Sequence, residues 1–244
     1  MPPLYYAGRW VRQPPVWQEG RGALEYLRLV RHPVFRGVGV PDGGGRPVLL
    51  IAGFMAGDNS LFVMRRWLQR ARYRVEMAGL TLNIRYSDVV VSAITVRLID
   101  LHRVAGRPVT IVGHSRGGLL AKVIADSRPE IVQQVITLGS PLADPYDIHP
   151  LTMAGVRLAH AFNLVRYART GKTERRFLRD LEAPARVPLT SIYTRSDGIV
   201  HWEACLRGDA ECIEVRGSHM GLGVNADVYQ LLARRLPGAR PARR

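Results

Sequence analysis

The sequence predicts an α/β fold: a mainly parallel sheet of about six strands with helices on both faces and a helical cap inserted over one end. Three observations predict it. From Val48 onward, short β-branched and apolar runs alternate with helical segments, a succession that implies right-handed crossovers and a parallel sheet. One strand-to-helix junction, Ile111 to Gly118, reads IVGHSRGG and sets Ser115 between Gly113 and Gly117, as a sharp turn intolerant of a Cβ on either side requires. A long stretch, residues 141–188, then interrupts the alternation with helical spacing of its own.

The chain has 244 residues, 47% hydrophobic and 23% charged, which suits one soluble α/β unit with a sizeable core. Residues 1–46 are rich in Pro, Gly and Arg, with a helical segment near Glu19 to Arg31, and read as an N-terminal arm. Val48 to Ala52 reads as a strand, Ser60 to Ala71 as a helix and Tyr73 to Met77 as a strand. Ser87 to Val104 is a helix with Asp88 placed to complement its dipole. Val109 to Val112, Leu119 to Asp126 and Val135 to Leu138 continue the alternation. Leu189 to Tyr193, Cys212 to Val215 and the helix Ala226 to Leu236 complete it. The organisation expected is a core over 47–140 and 189–236, a cap over 141–188 and a basic tail over 237–244. In the cap, Leu151, Leu158, Phe162 and Val165 recur at helical spacing beside Arg157, Arg166 and Arg169.

The net charge of +15 would attract anionic surfaces. Yet only Lys122 and Lys172 are lysines and the arginines are spread along the whole chain, so no clustered stripe supports a nucleic-acid partner. No basic region followed by an apolar stretch opens the N-terminus, and no run approaches the ~20 apolar residues of a membrane span. A cytoplasmic protein is expected. Cys205 and Cys212 could close a small disulfide or remain thiols; their spacing fits no metal site.

Ligand sites in parallel sheets lie beyond the carboxyl ends of the strands, where this sequence carries AGFMAGD, GHSRGG, GSPLADP, TRSDGIVHW and RGSHMGLGV. A serine hydroxyl needs a base, itself oriented by a third group. Ser115, Asp197 and His219 follow one another in that chain order, each after a strand. Asp144 is the rival acid and His201 the rival histidine. His201 follows Asp197 by only four residues, and Asp144 in ADP suits turn formation. An oxyanion formed by attack would need preorganised N–H donors. Arg116, next to the serine, and Phe54, in the loop after the first strand, are the candidates, ahead of Met55.

The segments PVLLIAGFMAGD, VGHSRGG, TLGSPLADP, SDGIVHW and GSHMGLGVN, from about Arg46 to Leu236, resemble the α/β-hydrolase superfamily and its esterase and lipase-like members. The resemblance implies a serine hydrolase of carboxylic esters acting without metal or organic cofactor, on a small-molecule or lipid ester; the apolar stripe of the cap, flanked by arginines, adds the expectation of peripheral contact with a lipid interface. Against the larger members the chain lacks the first two strands, so a trimmed sheet of about six strands is expected. One departure stands out: Ala52 occupies the position where many lipases carry a histidine before the oxyanion glycine. An acyltransferase using the same acyl-enzyme, and a noncatalytic binding protein on the same scaffold, are the alternative readings.

Overall fold

Each apolar run forms a strand: β1 (Pro47–Ile51), β2 (Arg74–Met77), β3 (Val109–His114), β4 (Val132–Leu138), β5 (Leu189–Tyr193) and β6 (Glu211–Glu214). In this computed structural model, which describes residues 15–167 and 174–237, all pair in parallel in the order β2-β1-β3-β4-β5-β6. Residues 1–14, Arg169 and residues 238–244 of the basic tail lie outside the described residues.

The inner strands β1, β3, β4 and β5 are largely apolar because both faces of the sheet are covered there, whereas the edge strands β2 and β6 carry charged residues. Val48, Leu50, Val112, Ile136 and Ile192 point to one layer, which also holds Leu29, Trp67 and Tyr229. Leu49, Ile51, Ile111, Val135 and Leu189 point to the other, with Ile94, Leu98 and Leu120. The helices supplying the first layer are α1 (Gly22–Arg31), α2 (Phe62–Arg70) and α7 (Ala226–Arg235). Those supplying the second are α3 (Ser87–Ala105), α4 (Arg116–Ser127) and α6 (Arg175–Glu182). Fully burying one such aliphatic side chain contributes about 1.5–3 kcal/mol, so these layers dominate the stability. α3 stops where Gly106 adopts a left-handed conformation, φ 63°. α7 starts where the Asn225 side chain accepts from the N–H groups of Asp227 and Val228.

Two segments sit differently from their expected roles. The described part of the arm docks on the first layer: Leu29 is fully buried and Trp67 Nε1 donates to Val34 O at 2.9 Å. Among the described residues of 141–188, the helix that stands over the strand ends is α5 (Pro150–Tyr167). α6 buries Phe177 and Leu181 in the second layer. The buried Lys122 of α4 holds it there, donating to Asp180 O at 2.7 Å and Ala183 O at 2.5 Å.

Candidate active site

β1 and β3 are sheet neighbours whose following connections leave in opposite directions, which opens a crevice at their carboxyl ends. Ser115 stands there. It links β3 to α4 with φ 52° and ψ −126°, a left-handed conformation rare for a residue with a side chain. Such a residue costs about 1–3 kcal/mol unless its surroundings over-determine it. Here its N–H donates to Leu138 O at 2.8 Å and its carbonyl accepts from Gly118 at 2.9 Å. A Cβ at Gly113 would collide with the Gly117 carbonyl, and one at Gly117 with the Ile51 carbonyl. Glycine is therefore a steric condition of the turn.

The loops after β5 and β6 bring Asp197 and His219 together. His219 Nδ1 lies 2.7 Å from Asp197 Oδ2, with both side chains almost wholly buried. The other carboxylate oxygen accepts from the N–H groups of Ile199, at 2.8 Å, and Val200, at 2.6 Å, which fixes the acid's orientation. Burial works against the His219 cation, but the Asp197 charge and hydrogen bond, with Glu19, outweigh it and hold the imidazole above its ordinary value. No hydrogen bond joins Ser115 to His219 among the described residues; nucleophile–base contacts commonly tighten only once substrate is bound.

A cavity of about 600 Å³ opens beside Ser115. Phe54 and Leu119 line its base, the Ile84–Ser87 segment and Phe177 its sides, and Met153, Val156 and Asn163 of α5 its roof. Asn163 Nδ2 donates to Ile84 O at 2.7 Å, and the His160 ring meets Tyr86 edge-on at 5.6 Å; both contacts hold α5 over the opening. The expected stripe of Leu151, Leu158, Phe162 and Val165 points away from the cavity into solvent, with Leu158 74% exposed. The helix turns about 100° per residue, so positions 153, 156, 160 and 163 share one face and the stripe takes the other.

The sequence model of one family, the PGAP1-like alpha/beta domain, matches residues 74–180. No curated protein sequence matches the chain. Among solved structures, Aspergillus fumigatus lipase B superposes with a TM-score of 0.60 at 15% identity over 82% of this chain, which spans 54% of that one. The mature form of Bacillus licheniformis lipase BlEst2 gives 0.58 at 16% identity, covering 80% of this chain and 94% of that one. The monoacylglycerol lipase of Paleococcus ferrophilus gives 0.55 at 16%, over 79% and 95%. The chain has the α/β-hydrolase fold.

Within this hydrolase fold the other candidates have separate settings. Asp144 caps a turn, accepting from the Tyr146 N–H at 2.9 Å. His201 faces Asp147, with Nδ1 3.4 Å from Oδ2, and its segment is tied to residues 147–149 through the Ile148–Val200 bridge. Cys205 and Cys212 are free thiols; burial pushes the Cys205 thiol well up. No helix among the described residues is long and apolar enough to cross a membrane.

Three residues around the site were not singled out by the sequence. The fully buried Asn83 donates from Nδ2 to Ala52 O at 2.9 Å and from its N–H to Ala56 O at 3.0 Å. Its own carbonyl accepts from Met55 N–H at 3.3 Å and from the Arg116 guanidinium at 2.9 Å. Asn83 and the Arg116 side chain thus anchor the AGFMAG loop that has Ala52 where a histidine is common. The same contact occupies the Met55 N–H. His114 Nε2 donates to the His219 carbonyl at 3.0 Å, and burial, then His219, lower its pKa to about 4. Glu19, in the described part of the arm, accepts from the backbone of both catalytic-loop candidates. Only His114, beside Gly113 at the end of β3, carries a local sequence signal; Asn83 and Glu19 carry none.

Proposed function

We propose that this protein hydrolyses carboxylic esters through an acyl-enzyme on Ser115, with His219 as base and Asp197 as the acid that orients it. The observation that carries the reading is the buried 2.7 Å bond between His219 Nδ1 and Asp197 Oδ2, in a fold whose strained serine turn opens into an apolar-walled cavity. Ser115 Oγ attacks the ester carbonyl carbon while His219 Nε2 takes the hydroxyl proton, and Asp197 stabilises the imidazolium. The Phe54 and Arg116 N–H groups receive the oxyanion. Arg116 suits this because its N–H lies in the first turn of α4, where no intrahelical acceptor exists. Phe54 suits it because the neighbouring Met55 N–H is already taken by Asn83. His219 then protonates the departing alkoxide, and water attacks the acyl-enzyme by the same proton route to release the acid.

The substrate class is a small-molecule or lipid ester. The cavity walls favour apolar acyl groups, and the outward apolar face of α5 would meet the surface of aggregated substrate. Ser115→Ala should lower turnover of p-nitrophenyl esters on the order of a million-fold with the melting temperature retained. Near-normal turnover would refute the assignment.

A further inference from the structure

The loops after β5 and β6 are held by two carboxylates from the other end of the chain. Glu19 Oε1 accepts from Gly198 N–H at 2.9 Å and His219 N–H at 3.2 Å, while Oε2 accepts from Met220 N–H at 2.8 Å. Six residues on, the buried Glu25 accepts from the Ser218 N–H and hydroxyl, both at 2.8 Å, and from Asn225 Nδ2 at 3.4 Å. A Cβ at Gly221 would overlap the Glu25 carboxylate, so that glycine beside His219 serves the approach of a side chain almost 200 residues away. Glu19 precedes α1, whose buried residues are Glu25 and Leu29.

We propose that Glu19 is a positioning residue for the acid–base pair, one carboxylate bridging the Asp197 loop and the His219 loop and setting their separation. The proposal rests on the reading of Asp197 and His219 as acid and base. Gly198 is the residue after the acid, and His219 and Met220 are the base and its successor. One group therefore ties the backbone on both sides of the 2.7 Å contact. Its negative charge also favours imidazolium as the proton arrives, in the same sense as Asp197. The other groups facing His219 are the neutral His114 ring, 4.9 Å away centroid to centroid, and Glu25 behind Ser218. The segment that reads as a leading arm thus supplies part of the active site.

The test is the pH dependence of kcat/KM for a soluble ester in Glu19→Gln, Glu19→Asp and Glu19→Ala, with Ser115→Ala as reference. Glu19→Gln removes the charge and keeps an acceptor, so the acid limb should move to lower pH. Glu19→Asp keeps the charge and should leave the limb in place. Glu19→Ala frees both loops and should cut plateau kcat by roughly 10- to 100-fold with little change in KM. An unmoved acid limb in Glu19→Gln, with Ser115→Ala inactive, would overturn this role alone. Variants whose melting temperature and activity fall together, Glu19→Asp included, would make Glu19 a staple of the fold and also overturn it. An active Ser115→Ala would instead remove the catalytic reading beneath it.

Discussion

His114 and His219 lie ring against ring, 4.9 Å between centroids, and the first donates to the backbone carbonyl of the second. Two imidazoles share one buried pocket, yet their pKa values are shifted in opposite directions. Asp197 is hydrogen-bonded to His219 and raises its pKa, which keeps that ring able to accept a proton. Burial and the neighbouring ring keep His114 neutral.

A pH dependence of stability follows from that contrast. The unfolded chain binds a proton on His114 below pH 6.5, whereas the folded chain resists until about pH 4. Between these values the unfolded state holds more protons, so stability falls as pH falls. At about 1.4 kcal/mol per pH unit the loss amounts to about 3 kcal/mol. The raised pKa of His219 acts in the opposite sense, adding stability that is lost as pH rises through its folded value. Urea titrations from pH 4 to 7 should show the acid slope in the wild type and a shallower one in His114→Gln, which keeps a donor for the His219 carbonyl.

Asp197→Asn should lower turnover by roughly 10⁴-fold, since an amide cannot hold the same imidazole tautomer or stabilise its cation. Asp144→Asn should leave turnover unchanged and stability within about 0.5 kcal/mol, because Asp144 caps a turn. Steady-state kinetics of the two variants side by side would rank them, and the reverse order would move the acid to the loop after β4.

Selection of acyl length should reside in the inward face of α5. Val156→Phe narrows the cavity and should shift preference toward shorter esters, about fourfold in kcat/KM per excluded methylene at ~0.8 kcal/mol each. Leu158 and Phe162 are exposed, so Leu158→Ser with Phe162→Ser should leave the profile for dissolved esters unaltered and reduce activity on emulsified ones. A panel of p-nitrophenyl esters of increasing chain length checks both.

The fold was legible because the central strands are short apolar, largely β-branched runs covered on both sides, so local composition carried the architecture. The positions of Ser115, Asp197 and His219 were legible for a related reason: each follows a strand, and strand ends converge. The orientation of α5 was not. Its cavity face mixes Met153 and Val156 with His160 and Asn163, so hydropathy favours the outer face, although the polar pair makes the contacts that seat the helix. Glu19 and Asn83 were hidden too. Their hydrogen bonds reach residues up to 201 positions away, and no local pattern encodes such a partner.

The central claim is that Ser115 carries the acyl group, and covalent labelling tests it most directly. Treatment with a p-nitrophenyl phosphonate, followed by peptide mass spectrometry, should place one phosphonyl group per chain on the Ser115 peptide. Ester hydrolysis should be lost in step with labelling, and Ser115→Ala should take up none. Hydrolysis that persists in the fully labelled protein, or a label found on another residue, would contradict the account.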